Sequence, residues 1–297
     1  MTFNPDSDIS GGKASKRGRG RGTAIGAGAG GLGIIAIFLL SQVLGVDLSQ
    51  FVGGGTEGGG GTTEESGLEQ CQTGADANAH VDCRMKGAAA SLDDFWIDEA
   101  PAIGVDYHSP NDLVMFDQQV STGCGSATSA TGPFYCPPDE TIYLDVSFFD
   151  ELETRFGADD GAAAEMYIVA HEWGHHVQNL AGILAQSQDG QTGPDSASVR
   201  TELMADCFAG AWAAGASQTE DAQGVPFLLP LTREQIDNAL GAAAAVGDDR
   251  IQESMQGQVD PHSFTHGTSE QRTRWFTTGY DQGAPACDTF AVDGADL

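Results

Sequence analysis

The sequence predicts an α+β protein, mainly helical with a small sheet, following an N-terminal transmembrane helix. Three observations predict this. A charge-free apolar stretch lies near the N-terminus, several long segments in the second half carry helix caps and stops, and one short segment alternates with the period of a strand. With 297 residues, 40% of them hydrophobic, the chain can bury a sizeable core.

Residues 22–46 contain no charged side chain, and Leu32 to Leu44 are densely apolar. About 20 such residues span a bilayer in helical form. Lys13, Lys16, Arg17, Arg19 and Arg21 precede this stretch, so five of the 13 basic residues fall before residue 22. By the positive-inside rule the N-terminus is expected in the cytoplasm and the rest of the chain outside. A cleavable signal peptide is the competing reading, but no small-x-small site follows the apolar run. The expected organisation is a basic cytoplasmic tail (1–21), a signal anchor (22–46), a Gly-rich linker (47–67) and a folded domain (68–297). Beyond the anchor the chain is strongly acidic, with 43 Asp and Glu in the whole sequence, which argues against nucleic acid as a partner.

Six cysteines, an even number, suit a compartment that permits disulfides. Cys71 with Cys83 and Cys124 with Cys136 would close short loops, leaving Cys207 for Cys287, although other pairings remain open. In Thr141 to Val146, Ile142, Leu144 and Val146 lie on one side and Tyr143 and Asp145 on the other, which predicts a half-buried strand. Leu113 to Val120 is a second candidate. A helix is expected from about Gly161 to Leu180, capped by Asp159 or Asp160 and stopped by Gly182. A second runs from about Ser196 to Ala214. A third opens at Thr232, where Thr-Arg-Glu-Gln forms a capping box.

The first of these helices carries His171-Glu172-Trp173-Gly174-His175. Histidines four residues apart project from one helical face and can share one metal ion. Glu202 and Asp206, four apart on the second helix, share a face too. Glu202 is the candidate third ligand, and Asp206 a carboxylate that would fix the far ring nitrogen of a ligand histidine. Gly174 costs about 1 kcal/mol relative to Ala within a helix, so its presence predicts close approach of another backbone, that of the helix bearing Glu202. His176 points about 100° away from His175 and is read as structural. So are His80, His108 and His262, while Arg272 and Arg274 are expected to neutralise local acids.

The pentapeptide followed by Glu202-x-x-x-Asp206 resembles the gluzincin metallopeptidases. Gly-Pro-Phe-Tyr-Cys-Pro, Tyr-Leu-Asp, Ala-His-Glu-x-Gly-His-His-Val-Gln, Glu-Leu-x-Ala-Asp-Cys-x-Ala-Gly and Ser-Phe-Thr-His-Gly-Thr occur in that order. Together they resemble the bacterial “putative neutral zinc metallopeptidase” family (YpfJ-like) over about residues 90–290. The resemblance implies a zincin-like domain holding one catalytic Zn2+ and hydrolysing peptide or protein substrates. Its implied mechanism is attack by a zinc-activated water with Glu172 as general base. His266 is the candidate donor to the developing oxyanion, and the Thr141 to Val146 strand is the expected edge for an extended substrate. The alternatives are an inactive metal-binding or interaction module and a zinc hydrolase of a non-peptide bond. Glu172 speaks against the first, since a structural zinc has no use for a base.

Overall fold

A computed structural model describes residues 1–17, 68–156, 161–187 and 189–297. In chain order it contains strand β1 (Ser15–Arg17), helices α1 (Gly74–Ala79) and α2 (Val81–Glu99), and strands β2 (Asp112–Phe116), β3 (Gln119–Thr122), β4 (Gly125–Thr128), β5 (Phe134–Cys136) and β6 (Thr141–Asp145). Helices α3 (Ser147–Phe156), α4 (Ala162–Leu180), α5 (Ile183–Gln186), α6 (Ala197–Gly215), α7 (Arg233–Ala245), α8 (Asp248–Gln256) and α9 (Ser269–Gln282) follow. The described residues are thus mainly helical with a small sheet, as expected. The stretch 22–46, expected to form the anchor, lies outside the described residues. Among those described, no helix is long and apolar enough to cross a membrane.

The main sheet has the order β1-β2-β6-β5, with β1, β2 and β6 parallel and β5 antiparallel to β6. Strand β6 forms where alternation placed it, but two expectations about it fail. All five of its residues are buried rather than one face. Ile142 and Leu144 join the main core, while Tyr143 packs in a second cluster with Val114, Phe116 and Val120 on the sheet's other side. Val120 and Ala127 of the β3–β4 hairpin contribute to that cluster and cover the face that alternation assigned to solvent. Nor is β6 an edge. It lies between β2 and β5, and among the described residues the free edge on that side belongs to β5. The side-chain period of a strand reports which residues share a face, not which strands pair with it.

The expected strand Leu113 to Val120 is broken in two. Gln118 adopts φ 66°, and its N–H donates to Asp145 Oδ2 at 3.1 Å, turning the chain from β2 into the hairpin. Helix α4 starts one residue after Gly161, the N-cap, and not at an aspartate cap. Gly182, at φ 74°, ends it in the left-handed region as expected. Ser196 caps α6 by accepting from Val199 N, and the Thr232 capping box opens α7.

Helix α6 is buried nearly all round, between α4 and α9. Its approach to α9 depends on Gly279, where an added Cβ would meet Cys207 O at 1.8 Å. The Cys207–Cys287 bridge fastens the same region, and Cys71–Cys83 and Cys124–Cys136 complete the pairings suggested by spacing.

Residues 1–17, expected as part of a separate tail, pack on the body instead. Phe3 and Ile9 are fully buried in the main core, and β1 extends the sheet beside β2.

Candidate metal centre

Helices α4 and α6 cross at Gly174 and Ala205. A Cβ on Gly174 would stand 3.1 Å from Ala205 Cα and 3.2 Å from Ala205 O, so glycine lets the two backbones meet there. This is the close approach that Gly174 predicts. It sets His171 and His175 of α4 opposite Glu202 and Asp206 of α6.

Second partners orient both imidazoles. His171 Nδ1 donates to Asp206 Oδ1 at 2.8 Å, which leaves Nε2 3.1 Å from Glu202 Oε2. His175 Nδ1 donates to Gln178 Oε1 at 2.8 Å, and its Nε2 lies 3.5 Å from Glu202 Oε1. Gln178 is itself held by donating Nε2 to Thr201 O on α6 at 2.7 Å. Two Nε2 atoms and one carboxylate thus converge, all three ligand atoms lying within 4.8 Å of one another.

That arrangement fits a tetrahedral zinc. Ligand atoms 2.0–2.1 Å from such an ion stand about 3.3 Å apart, close to the two N···O separations here. The electrostatics favour a cation as well. Burial disfavours charge on His171, but Asp206 and Glu202 against its two nitrogens outweigh burial and raise its pKa to about 10. Burial likewise opposes ionisation of Glu202, yet His175, His266 and His171 hold its carboxyl well below the usual range.

Asp206 is fully buried, and its charge is balanced by a side chain from α9. Arg272 donates Nε to Oδ2 at 2.7 Å and Nη2 to Oδ1 at 2.9 Å, a two-pronged pair that also satisfies the planar guanidinium. Tyr167, one helical turn before His171, donates its hydroxyl to Asp206 Oδ1 at 2.5 Å. Burial opposes the Asp206 charge, but Arg272 and His171 lower its pKa nonetheless. Arg272 does neutralise an acid, as expected, and that acid is the one orienting His171. Arg274 lies 3.9 Å from Glu270.

Glu172 is 8% exposed and sits one residue beyond His171 on α4. His266 lies on the loop between α8 and α9. Asp248 shapes that loop by accepting from the N–H groups of Thr265, His266 and Gly267 at 2.7, 2.6 and 3.0 Å. Its other oxygen faces His266 Nδ1 at 3.2 Å. Burial lowers the His266 pKa, but Glu202 and Asp248 more than compensate and raise it. His176 is structural as expected. It is fully buried, donating Nε2 to His108 O at 2.7 Å and accepting from Tyr135 Oη at 3.0 Å. Tyr135 belongs to β5, so this bond fastens the free edge strand to the helix bearing His171 and His175.

Sequence reasoning did not connect Tyr167, Gln178, Asp248 or Arg272 to the site. Tyr167 and Gln178 could have been found, since each stands one helical turn from a site histidine. The other two had no local signal.

A 51%-identical protein of Mycobacterium bovis aligns over 232 residues, covering 77% of each chain, and a Mycobacterium tuberculosis protein matches equally. The Escherichia coli protein YpfJ is 46% identical over 207 residues, 68% of each chain. All three carry the description uncharacterised. No solved structure matches. The sequence profile described as “Putative neutral zinc metallopeptidase” matches residues 5–290, and the chain belongs to that family.

Proposed function

We propose that the protein is a zinc-dependent peptidase in which His171, His175 and Glu202 hold one ion and Glu172 is the general base. The observation that carries this is the convergence of two oriented Nε2 atoms and a carboxylate beside a buried glutamate. Zinc bound there would supply a Lewis acid that polarises a carbonyl and lowers the pKa of water towards about 7.

The chain's own groups do the rest. Glu172 accepts a proton from the attacking water and delivers it to the departing amine. His266, held at Nδ1 by Asp248, donates from Nε2 to the substrate carbonyl oxygen as negative charge develops. The free edge of β5, in place of the expected β6, offers backbone groups to an extended peptide. Three disulfides support an oxidising, extracytoplasmic location for the body, attached to the membrane through residues 22–46.

The test is zinc analysis and casein hydrolysis on the purified full-length chain. One zinc per chain is expected, with cleavage that stops on chelation and returns with zinc. Stoichiometric zinc without cleavage of casein or of a peptide library would refute the peptidase reading. Glu202→Ala is expected to abolish zinc retention, and metal held at full affinity would remove it from the ligand set. His266→Ala should lower kcat by about 10²–10³-fold with zinc content unchanged. An unaltered kcat would exclude the oxyanion role.

A further inference from the structure

Residues 1–17 are built into the body through core side chains, backbone bonds and strand pairing at once. Phe3 and Asn78 exchange two hydrogen bonds of 2.9 Å, Phe3 N to Oδ1 and Nδ2 to Phe3 O. Asn4 N donates to Phe227 O, Ile9 N to Gln72 O and Leu229 N to Thr2 O, each at 2.9 Å. Residues Ser15 to Arg17 then pair in register with Val114 to Phe116.

The body carries matching accommodations. A Cβ on Gly87 would stand 2.6 Å from the Phe3 ring, and one on Gly74 would stand 1.9 Å from Asn4 O. Two of the basic residues on which the expected orientation rests are engaged here too. Lys16 Nζ lies 2.5 Å from Asp82 Oδ2, and the Arg17 guanidinium stands 5.9 Å from the centre of the Tyr143 ring.

A segment that pairs with β2 cannot be separated from β2 by a bilayer. This holds whether the segment docks on its own body or on another copy's. We propose that residues 1–17 and the body from residue 68 onward lie on the same face of the membrane.

Single cysteines at Gly11 and Met255 in the full-length chain test this. Gly11 is exposed with no atom within 4 Å of an added Cβ, and Met255 is 44% exposed on the body. In intact cells a membrane-impermeant maleimide is expected to label G11C and M255C to similar extents. Labelling of M255C with G11C protected until the membrane is opened would overturn the proposal. Protection of both until opening would keep the shared face and would instead overturn the extracytoplasmic placement. Phe3→Ala in the detergent-purified full chain is expected to lower the melting temperature by roughly 10 °C. An unchanged melting temperature would show that the segment is not docked.

Discussion

Glu172→Gln is expected to lower kcat/KM for casein or peptide by a factor of about 10²–10⁴, the span associated with a positioned general base, while zinc content stays at one per chain. Glutamine keeps the size and polarity of the side chain but cannot take a proton from water. Glu172 is buried on α4 beside His171 and is not among the three converging ligand groups, so metal retention should be untouched. Zinc analysis and steady-state kinetics on the same preparation check both halves. Proteolysis at the unaltered rate would exclude Glu172 as the base. Loss of zinc would place it among the ligands. The same variant distinguishes a catalytic site from a structural one, because an inactive zinc module would show no change in either measurement.

Arg272→Met should have the largest effect on stability. It leaves Asp206 fully buried without its arginine partner, a situation that costs about 3–5 kcal/mol, or roughly 10 °C in Tm for a domain of this size. The pH dependence follows from the depressed Asp206 pKa. A carboxyl held below its ordinary value of 3.8 contributes stability above that value and loses it as pH falls through the folded-state pKa. Without Arg272 the folded-state pKa rises, so acid unfolding is expected to begin at a higher pH. Zinc affinity should also fall, by about 10–100-fold, because Asp206 orients His171. Adding Asp206→Asn removes the stranded charge and should recover part of the stability without recovering zinc affinity. Calorimetry and a zinc competition assay separate the two effects. Tm and affinity that both match the unaltered chain would show that the Arg272 pair contributes to neither.

The candidate site divides along the same line as these experiments. His171, Glu172 and His175 follow from the pentapeptide because spacing along one helix fixes which side chains share a face. Glu202 and Asp206 follow in the same way, and Gly174 marks where the second backbone approaches. Arg272 reaches Asp206 only because Gly279 lets α9 lie against α6, a contact 66 residues away in sequence. Asp248 orders the His266 loop from a helix that carries no motif of its own.

For the fold, helix caps and stops at Ser196, Thr232 and Gly182 and the period of β6 are local properties, set by backbone hydrogen bonding and side-chain direction within a few residues. They appear in the sequence and again in the structure. Strand order is different in kind, since it depends on which distant segments supply partners and cover. Alternation in β6 therefore could not show that β2 and β5 flank it or that the β3–β4 hairpin closes its outer face. The N-terminal segment makes the same point most strongly. Its basic residues have the composition of a tail, and their integration depends on room left by Gly74 and Gly87 and on an open edge at β2, none of which is encoded nearby. Short-range geometry identified the candidate metal ligands, whereas long-range packing alone fixed what orients them, which strand edge is left free and where residues 1–17 dock.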